Sequence, residues 1–241
     1  CTVSQSSFKL GCCIVSCTRI YLGKTQRHQH SHGVGQFLPL GNVAIVSDIT
    51  FNGSTVVKSG YSQSFTPDQL NAANTAASIS SLKANEREII QYVNLVRMYP
   101  KQFCQQFIEP LPDDVIADPN LGVEVKKSYK TSLVKTLQKM QPIGVLQYSE
   151  SMHQIAECWV KESGPSGIVG HARRKCKSGF LGECCSYGHD DALAIVVQLL
   201  LDVDVPSLGH RAIILDPEYQ TLGTSTGSHS KYDYCAVLDF H

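Results

Sequence analysis

Apolar residues recur with two different periods along this chain. In NEREIIQYVNLVRMYP (85–100), Ile89, Tyr92, Val93 and Val96 fall at helical spacing. Asn85 stands at a capping position with Glu88 three residues on, and Pro100 stops the run. TSLVKTLQKM (131–140) and SESMHQIAECWVKES (149–163) repeat the pattern, the second with Met152, Ile155, Ala156 and Trp159 on one side. DDALAIVVQLLLD (190–202) is apolar nearly all round, which predicts a helix buried on every side. The end of the chain changes period: QTLGTSTG (220–227) and YDYCAVLDF (232–240) read as two strands. Amphipathic helices followed by terminal strands predict an α+β, layered domain over residues 85–241.

Residues 1–66 have another texture, rich in Val, Ile, Thr, Ser and Gly and poor in helix signals. In NVAIVSDITFNGSTVVKSG (42–60), Asn52-Gly53 separates two β-prone runs and predicts a hairpin. A β-rich extension of this size holds little core of its own, since about 60 residues is marginal for an independent fold. It is expected to pack on the rest of the chain or on another copy. Val43 to Val46 carry no charge that would repel a partner strand. Residues 67–84 form a linker or a short helix between the two parts.

Net charge is zero and 17% of the 241 residues are charged, with the basic ones scattered. A nucleic-acid surface needs concentrated positive charge, so no nucleic-acid partner is expected. No apolar run reaches the roughly 18 residues of a membrane span, so no transmembrane segment is expected.

The ten cysteines are Cys1, Cys12, Cys13, Cys17, Cys104, Cys158, Cys176, Cys184, Cys185 and Cys235. No two CxxC pairs occur, which disfavours a closed zinc site; an even count in a chain of low charge points to disulfides and an extracellular, secreted or cell-surface location. The chain begins at Cys1 with no initiator methionine, which suits a processed product whose leader has been removed, or a lipid-bearing first cysteine. Cys176 lies between His171 and the Glu183-Cys184-Cys185 loop; a bridge from Cys176 to Cys184 or Cys185 would fix the histidine beside the glutamate.

Two sets of residues carry candidate chemistry. His28, His30 and His32 alternate in RHQHSHG and either line one face of a strand as Zn or Cu ligands or decorate a polar turn. In the second half, His171, Glu183, Asp202 and His210 each sit at an element end or beside a glycine, where side chains can converge on a cleft. Two imidazoles and two carboxylates suit a divalent metal or proton transfer. Taken singly, each also reads as a structural hydrogen-bond former.

Several motifs occur in a meaningful order: NLVRMYPKQF (94–103), LQYSESMHQIAECWVKES (146–163), GIVGH (167–171), GECCSYG (182–188), VDVPSLGHRAIILDPEYQTLG (203–223) and YDYCAVLDF (232–240). The ordered set resembles the CAP superfamily of cysteine-rich secretory, antigen 5 and pathogenesis-related proteins, in its bacterial-type branch. GECCSYG resembles the family's GEN-x-x-x-G motif, and GHRAIILDPEYQTLG its GHR motif. The resemblance implies an α-β-α sandwich with a central cleft displaying His171, Glu183, Asp202 and His210 as a tetrad that can hold Zn or another divalent cation. Asp202 stands where the family often has Glu, Cys184 where it has Asn, and Ile213 where it has Asn. Asn94 and Arg97 are expected to tie the first helix to the sheet, since buried Asn and Arg need partners.

Three functions follow from this reading. The first is a secreted binding module holding a metal and a small molecule, lipid, glycan or peptide. The second is a peptidase or other hydrolase that uses the tetrad, with Ser186 or Ser207 as nucleophile. The third is a self-assembling extracellular protein, a homo-oligomer or polymer joined through the N-terminal strands and disulfides.

Overall fold

The computed structural model describes residues 65–241. The 42–60 hairpin, the His28/His30/His32 set, the extension and Cys1, Cys12, Cys13 and Cys17 lie outside the described residues.

Thr66 opens α1 (Pro67–Ala73): its hydroxyl accepts from the Gln69 N–H, and the Gln69 side chain accepts from the Thr66 N–H. The 67–84 segment thus contains a short helix. The expected first long helix is α2 (Ala84–Met98), but its cap differs from the one expected. Glu86 accepts from the Lys83 N–H (2.9 Å), so the cap belongs to Lys83 and Glu86. Asn85 lies inside the helix and donates to the Asp190 carbonyl. Pro100 ends α2 and opens α3 (Pro100–Phe103), which runs into one π-helical turn over Cys104–Ile108.

The remaining helices are α4 (Lys127–Lys139), α5 (Glu150–Ser166), α6 (Ala192–Leu201) and α7 (Gly209–Ile214). In α6 every residue but Gln198 is buried, as its all-round apolar character predicts.

One mixed sheet has the order β1-β3-β4-β2, formed by β1 (Gln147–Tyr148), β2 (Gly182–Tyr187), β3 (Thr221–His229) and β4 (Asp233–Phe240). The two terminal strands are those expected. The segment read as the Glu183-Cys184-Cys185 loop is a strand, paired antiparallel with β4 so that Glu183 opposes Asp239 and Cys185 opposes Val237.

Helices cover both faces of this sheet. Cys184, Leu222, Ala236, Leu238 and Phe240 point into a large core shared with α2, α4 and α6. Cys185, Cys235 and Val237 point the other way, into a small cluster with Ala156, Trp159 and Val160 of α5. Residues 65–241 thus form a layered α+β fold.

α5 lies almost on the backbone of β3. A Cβ on Gly223 would fall 2.0 Å from the His153 nitrogen, and one on Gly227 would fall 2.5 Å from a Val160 methyl. The absent side chains are what allow the approach.

The outer edge of β3 has β1 beside it only at Thr221 and Leu222. Thr221 and His241 exchange both backbone bonds, so alternate residues from 222 onward turn their backbone groups outward. Side chains close several of these positions. The Thr226 N–H donates to Glu86 Oε1 (2.8 Å), Lys83 Nζ donates to the Thr226 carbonyl, and His153 Nδ1 bonds the Thr224 carbonyl (2.8 Å). The buried Glu86, paired with the exposed Lys83, and an imidazole thus stand where a neighbouring strand would be.

Candidate metal centre

The loop after α5 brings in the first histidine. Gly167 caps α5 in the left-handed conformation (φ 67°), and the chain returns along the helix it has just left. The Glu162 carboxylate accepts from the backbone N–H groups of Arg174 (2.8 Å), Lys175 (3.1 Å) and Cys176 (3.1 Å). Trp159 Nε1 donates to the Gly170 carbonyl, and the Gly170 N–H donates to the Tyr187 hydroxyl.

A disulfide joins Cys158 on α5 to Cys176 on this loop, with Cα atoms 5.7 Å apart. The expected bridge from Cys176 to Cys184 or Cys185 is therefore corrected: the Cys176 partner is Cys158. The strand geometry explains this. Cys184 points away from the loop, and Cys185 is buried under it. Cys104, Cys184, Cys185 and Cys235 are thiols. Replacing both Cys158 and Cys176 with Ala is expected to cost about 3 kcal/mol, the usual value for a loop of this length. Chemical denaturation without reductant measures it; an unchanged midpoint would count against the bridge.

The loop delivers His171 onto β2. His171 Nδ1 lies 2.6 Å from Glu183 Oε1 and 3.9 Å from Cys185 Sγ. These three ligand atoms all lie within 4.8 Å of one another. Glu183 and Cys185 alternate along β2, so both face α5, and the His171 side chain is 28% exposed. Burial holds the His171 imidazole below its ordinary pKa, with the Arg173 charge adding to the effect. Burial also pushes the Cys185 thiol up to about 12, a repulsion from Asp239 adding to it.

Two residues at this site escaped sequence reasoning. Arg173 is almost wholly buried; it pairs with Glu183 Oε2 and reaches Asp239 Oδ2 (3.4 Å). Its guanidinium stacks over Trp159 (5.5 Å) and Phe180 (4.9 Å). Asp239, directly across from Glu183 on β4, is fully buried, and burial raises its carboxyl to about 7 against the pull of Arg173. Asp239 left a readable trace, an acid in a row whose other members are Cys235 and Val237. Arg173, one of several bases in HARRKCK, left none.

The other two members of the expected tetrad form a second pair. Asp202 ends α6 in the left-handed region (φ 55°), which turns its carboxylate toward the start of α7. Its Oδ1 lies 2.7 Å from His210 Nδ1, and its Oδ2 accepts from the backbone N–H of His210 (3.0 Å) and of Arg211 (3.4 Å). The tetrad residues thus occur as two acid–imidazole pairs, and the three-atom ligand group contains neither Asp202 nor His210. Cys184 Sγ approaches the His210 carbonyl (3.7 Å), so the second pair adjoins β2 one residue from Glu183.

Arg211 has a structural task. It donates to the carbonyls of Leu200 (2.7 Å), Leu201 (3.0 Å) and Tyr129 (3.3 Å) and to the Ser132 hydroxyl, which joins α6, α7 and α4. Asn94 and Arg97 also act structurally. Asn94 donates to the carbonyls of Ala73 and Leu146 and accepts from the Leu146 N–H.

Ser186, one of the nucleophiles considered above, is buried and donates to Gln198 Oε1 (2.5 Å) on the side of the sheet away from His171. A cavity of about 360 Å³ lies at the outer edge of β3, lined by Lys83, Glu86, His153, Glu157, Lys161 and Ser228 among others. None of the four tetrad residues lines it. Among the described residues no helix is long and apolar enough to cross a membrane.

No protein-family model matches this chain, and no curated protein matches it.

Proposed function

We propose that this chain is an extracellular binding module of CAP-like architecture that carries a divalent transition-metal ion on His171, Glu183 and Cys185. The carrying observation is the convergence of one imidazole nitrogen, one carboxylate oxygen and one thiol sulfur within 4.8 Å. A mixed N, O, S donor set is the chemistry of Zn and its neighbours, and excludes the all-oxygen preference of Ca and Mg. The ordered motifs and the helices on both faces of the sheet support the CAP reading. The disulfide supports an oxidising location. A lipid, glycan, peptide or other small ligand and self-assembly through the first 66 residues remain parts of the same proposal.

The hydrolase reading has less support. The Cys185 thiol stays protonated by burial, and both Cys185 and Glu183 face the same nitrogen of His171, so the imidazole is not bridged between them as in a catalytic relay. Ser186 is committed to Gln198. His210 with its Asp202 is a usable base, but the thiol next to it, Cys184, approaches its backbone carbonyl and not its imidazole.

The test is cobalt titration of the full chain under non-reducing conditions. One equivalent is expected to bind with a thiolate-to-cobalt charge-transfer band in the near ultraviolet. His171→Ala is expected to weaken binding about 100-fold or more, since loss of even a supporting group costs about 10–100-fold. Cys185→Ser is expected to abolish the charge-transfer band. Binding weakens as the pH falls, because protons compete for the ligands. Saturable binding with no such band, or unaltered binding by the His171 variant, would remove this assignment.

A further inference from the structure

Three donors leave a tetrahedral ion one ligand short, and the residue facing Glu183 across the sheet is an acid. Asp239 opposes Glu183 in the β2–β4 register, so their side chains leave the same face as direct neighbours. Cys185 lies two residues further along that face. Asp239 is fully buried, and its Oδ1 has no hydrogen-bond partner in the structure. Such an atom is costly unless something occupies the space beside it.

What stands between the two acids is the Arg173 guanidinium. One of its terminal nitrogens meets both Glu183 Oε2 and Asp239 Oδ2, the other donates to the Ile155 carbonyl (3.1 Å), and Nε is buried without a partner. An arginine held for its own sake in a buried pair normally has every donor of its fork filled, and here Nε is left over. Here a single positive group bridges two carboxylates beside an imidazole and a thiol. It therefore occupies the electrostatic place of a cation. Arg173 also lies on the same disulfide-bearing loop as His171, two residues on, against the faces of Trp159 and Phe180.

We propose that Asp239 is the fourth ligand of the His171–Glu183–Cys185 centre and that the Arg173 guanidinium holds the site until a divalent ion displaces it. This rests on the metal reading given above. Binding makes four bonds, to an imidazole nitrogen, two carboxylate oxygens and a thiolate sulfur. The protons of the thiol and of any protonated carboxylate leave to solvent, and the Arg173–carboxylate contacts break. The ion brings two positive charges to three anionic ligands, and Arg173, still nearby, neutralises the remaining one. Four protein ligands make a closed site, which suits a holding role over the activation of a metal-bound water.

The two residues give opposite expectations in the cobalt titration. Arg173→Gln removes the competing cation and is expected to tighten binding about tenfold or more. Asp239→Asn is expected to weaken it about 10–100-fold, with the thiolate band retained and the visible bands altered. Asp239→Cys places a second thiolate at the proposed position and is expected to double the charge-transfer intensity, a readout that a structural role for Asp239 would not produce. Weaker binding by Arg173→Gln would make Arg173 a positioning residue and overturn the displacement. Single-thiolate intensity in Asp239→Cys would overturn the fourth ligand. If the wild-type chain binds no cobalt and Arg173→Gln does, Arg173 blocks the site, and both the displacement and the metal role of the unaltered chain fall. If no variant binds, both readings fall together.

Discussion

Replacing Arg97 with Ala is expected to abolish cooperative folding at room temperature. This residue is fully buried in α2, and its guanidinium donates to four backbone carbonyls: Gly144 (3.0 Å), Ile214 (2.9 Å), Asp216 (2.7 Å) and Tyr219 (3.2 Å). Those carbonyls belong to the segment before β1 and to the end of α7 with the turn that follows it, so one side chain joins three parts of the chain. Each orphaned buried acceptor costs about 1–3 kcal/mol, and the hole left by the side chain adds to this. The sum is of the order of 5 kcal/mol, comparable with the whole stability of a domain. Burial lowers the Arg97 pKa to about 10, opposed by the nearby Asp216, which leaves the group charged at neutral pH. Arg97→Lys keeps the charge and loses the planar fork, so it is expected to be destabilised but folded. Circular dichroism melts of both variants measure this. A cooperative wild-type-like melt for the Ala variant would refute the role assigned to Arg97.

Gly223→Ala is expected to be the second most damaging single change. The added methyl would stand 2.0 Å from the His153 nitrogen and 2.3 Å from the Met152 carbonyl carbon. Both are backbone atoms of α5, so no rotamer change relieves the contact and the whole helix must lift off β3. Overpacking of this kind costs about 1–3 kcal/mol and sometimes more. For a domain of this size, 3 kcal/mol corresponds to a drop in melting temperature of about 6–12 °C. A melt within 2 °C of wild type, roughly the shift of half a kcal/mol or so, would show that α5 does not sit on this glycine.

α4 and α5 were readable because one face of each meets water. α2, β3 and β4 were readable from residue type and spacing, although Ile89–Arg97, Leu222–Thr226 and Cys235–Phe240 are buried throughout. β2 was not readable because GECCSY holds no Val, Ile or Thr, and its two cysteines read as halves of disulfides. α7 has six residues, too few to show a period. The cap of α2 was misplaced because Asn85 is the better capping residue by type, whereas Glu86 is held by β3 as well as by Lys83.

The candidate site divides in the same way. His171 and Glu183 were identified and do meet; Asp202 and His210 were identified and meet each other. Cys185 was counted as half of a disulfide because its direction depends on strand parity, which cannot be assigned to a segment read as a loop. Arg173 and Asp239 join the site only through cross-strand register and a returning loop, both of them long-range features.

The two cores on either side of the sheet are unequal. Among the described residues, the buried cluster on the α5 side is Ala156, Trp159, Val160, Cys185, Cys235 and Val237, with Ile168 and Tyr187 packed against it and one disulfide beside it. Free energies of opening follow buried apolar contact, so amide exchange through the 167–181 loop and the layer under it should proceed by partial openings well below the global limit. Glu183, Cys185 and Asp239 lie beneath that layer. Entry and exit of an ion at this depth would then be timed by the breathing of one layer, while the opposite core stays closed.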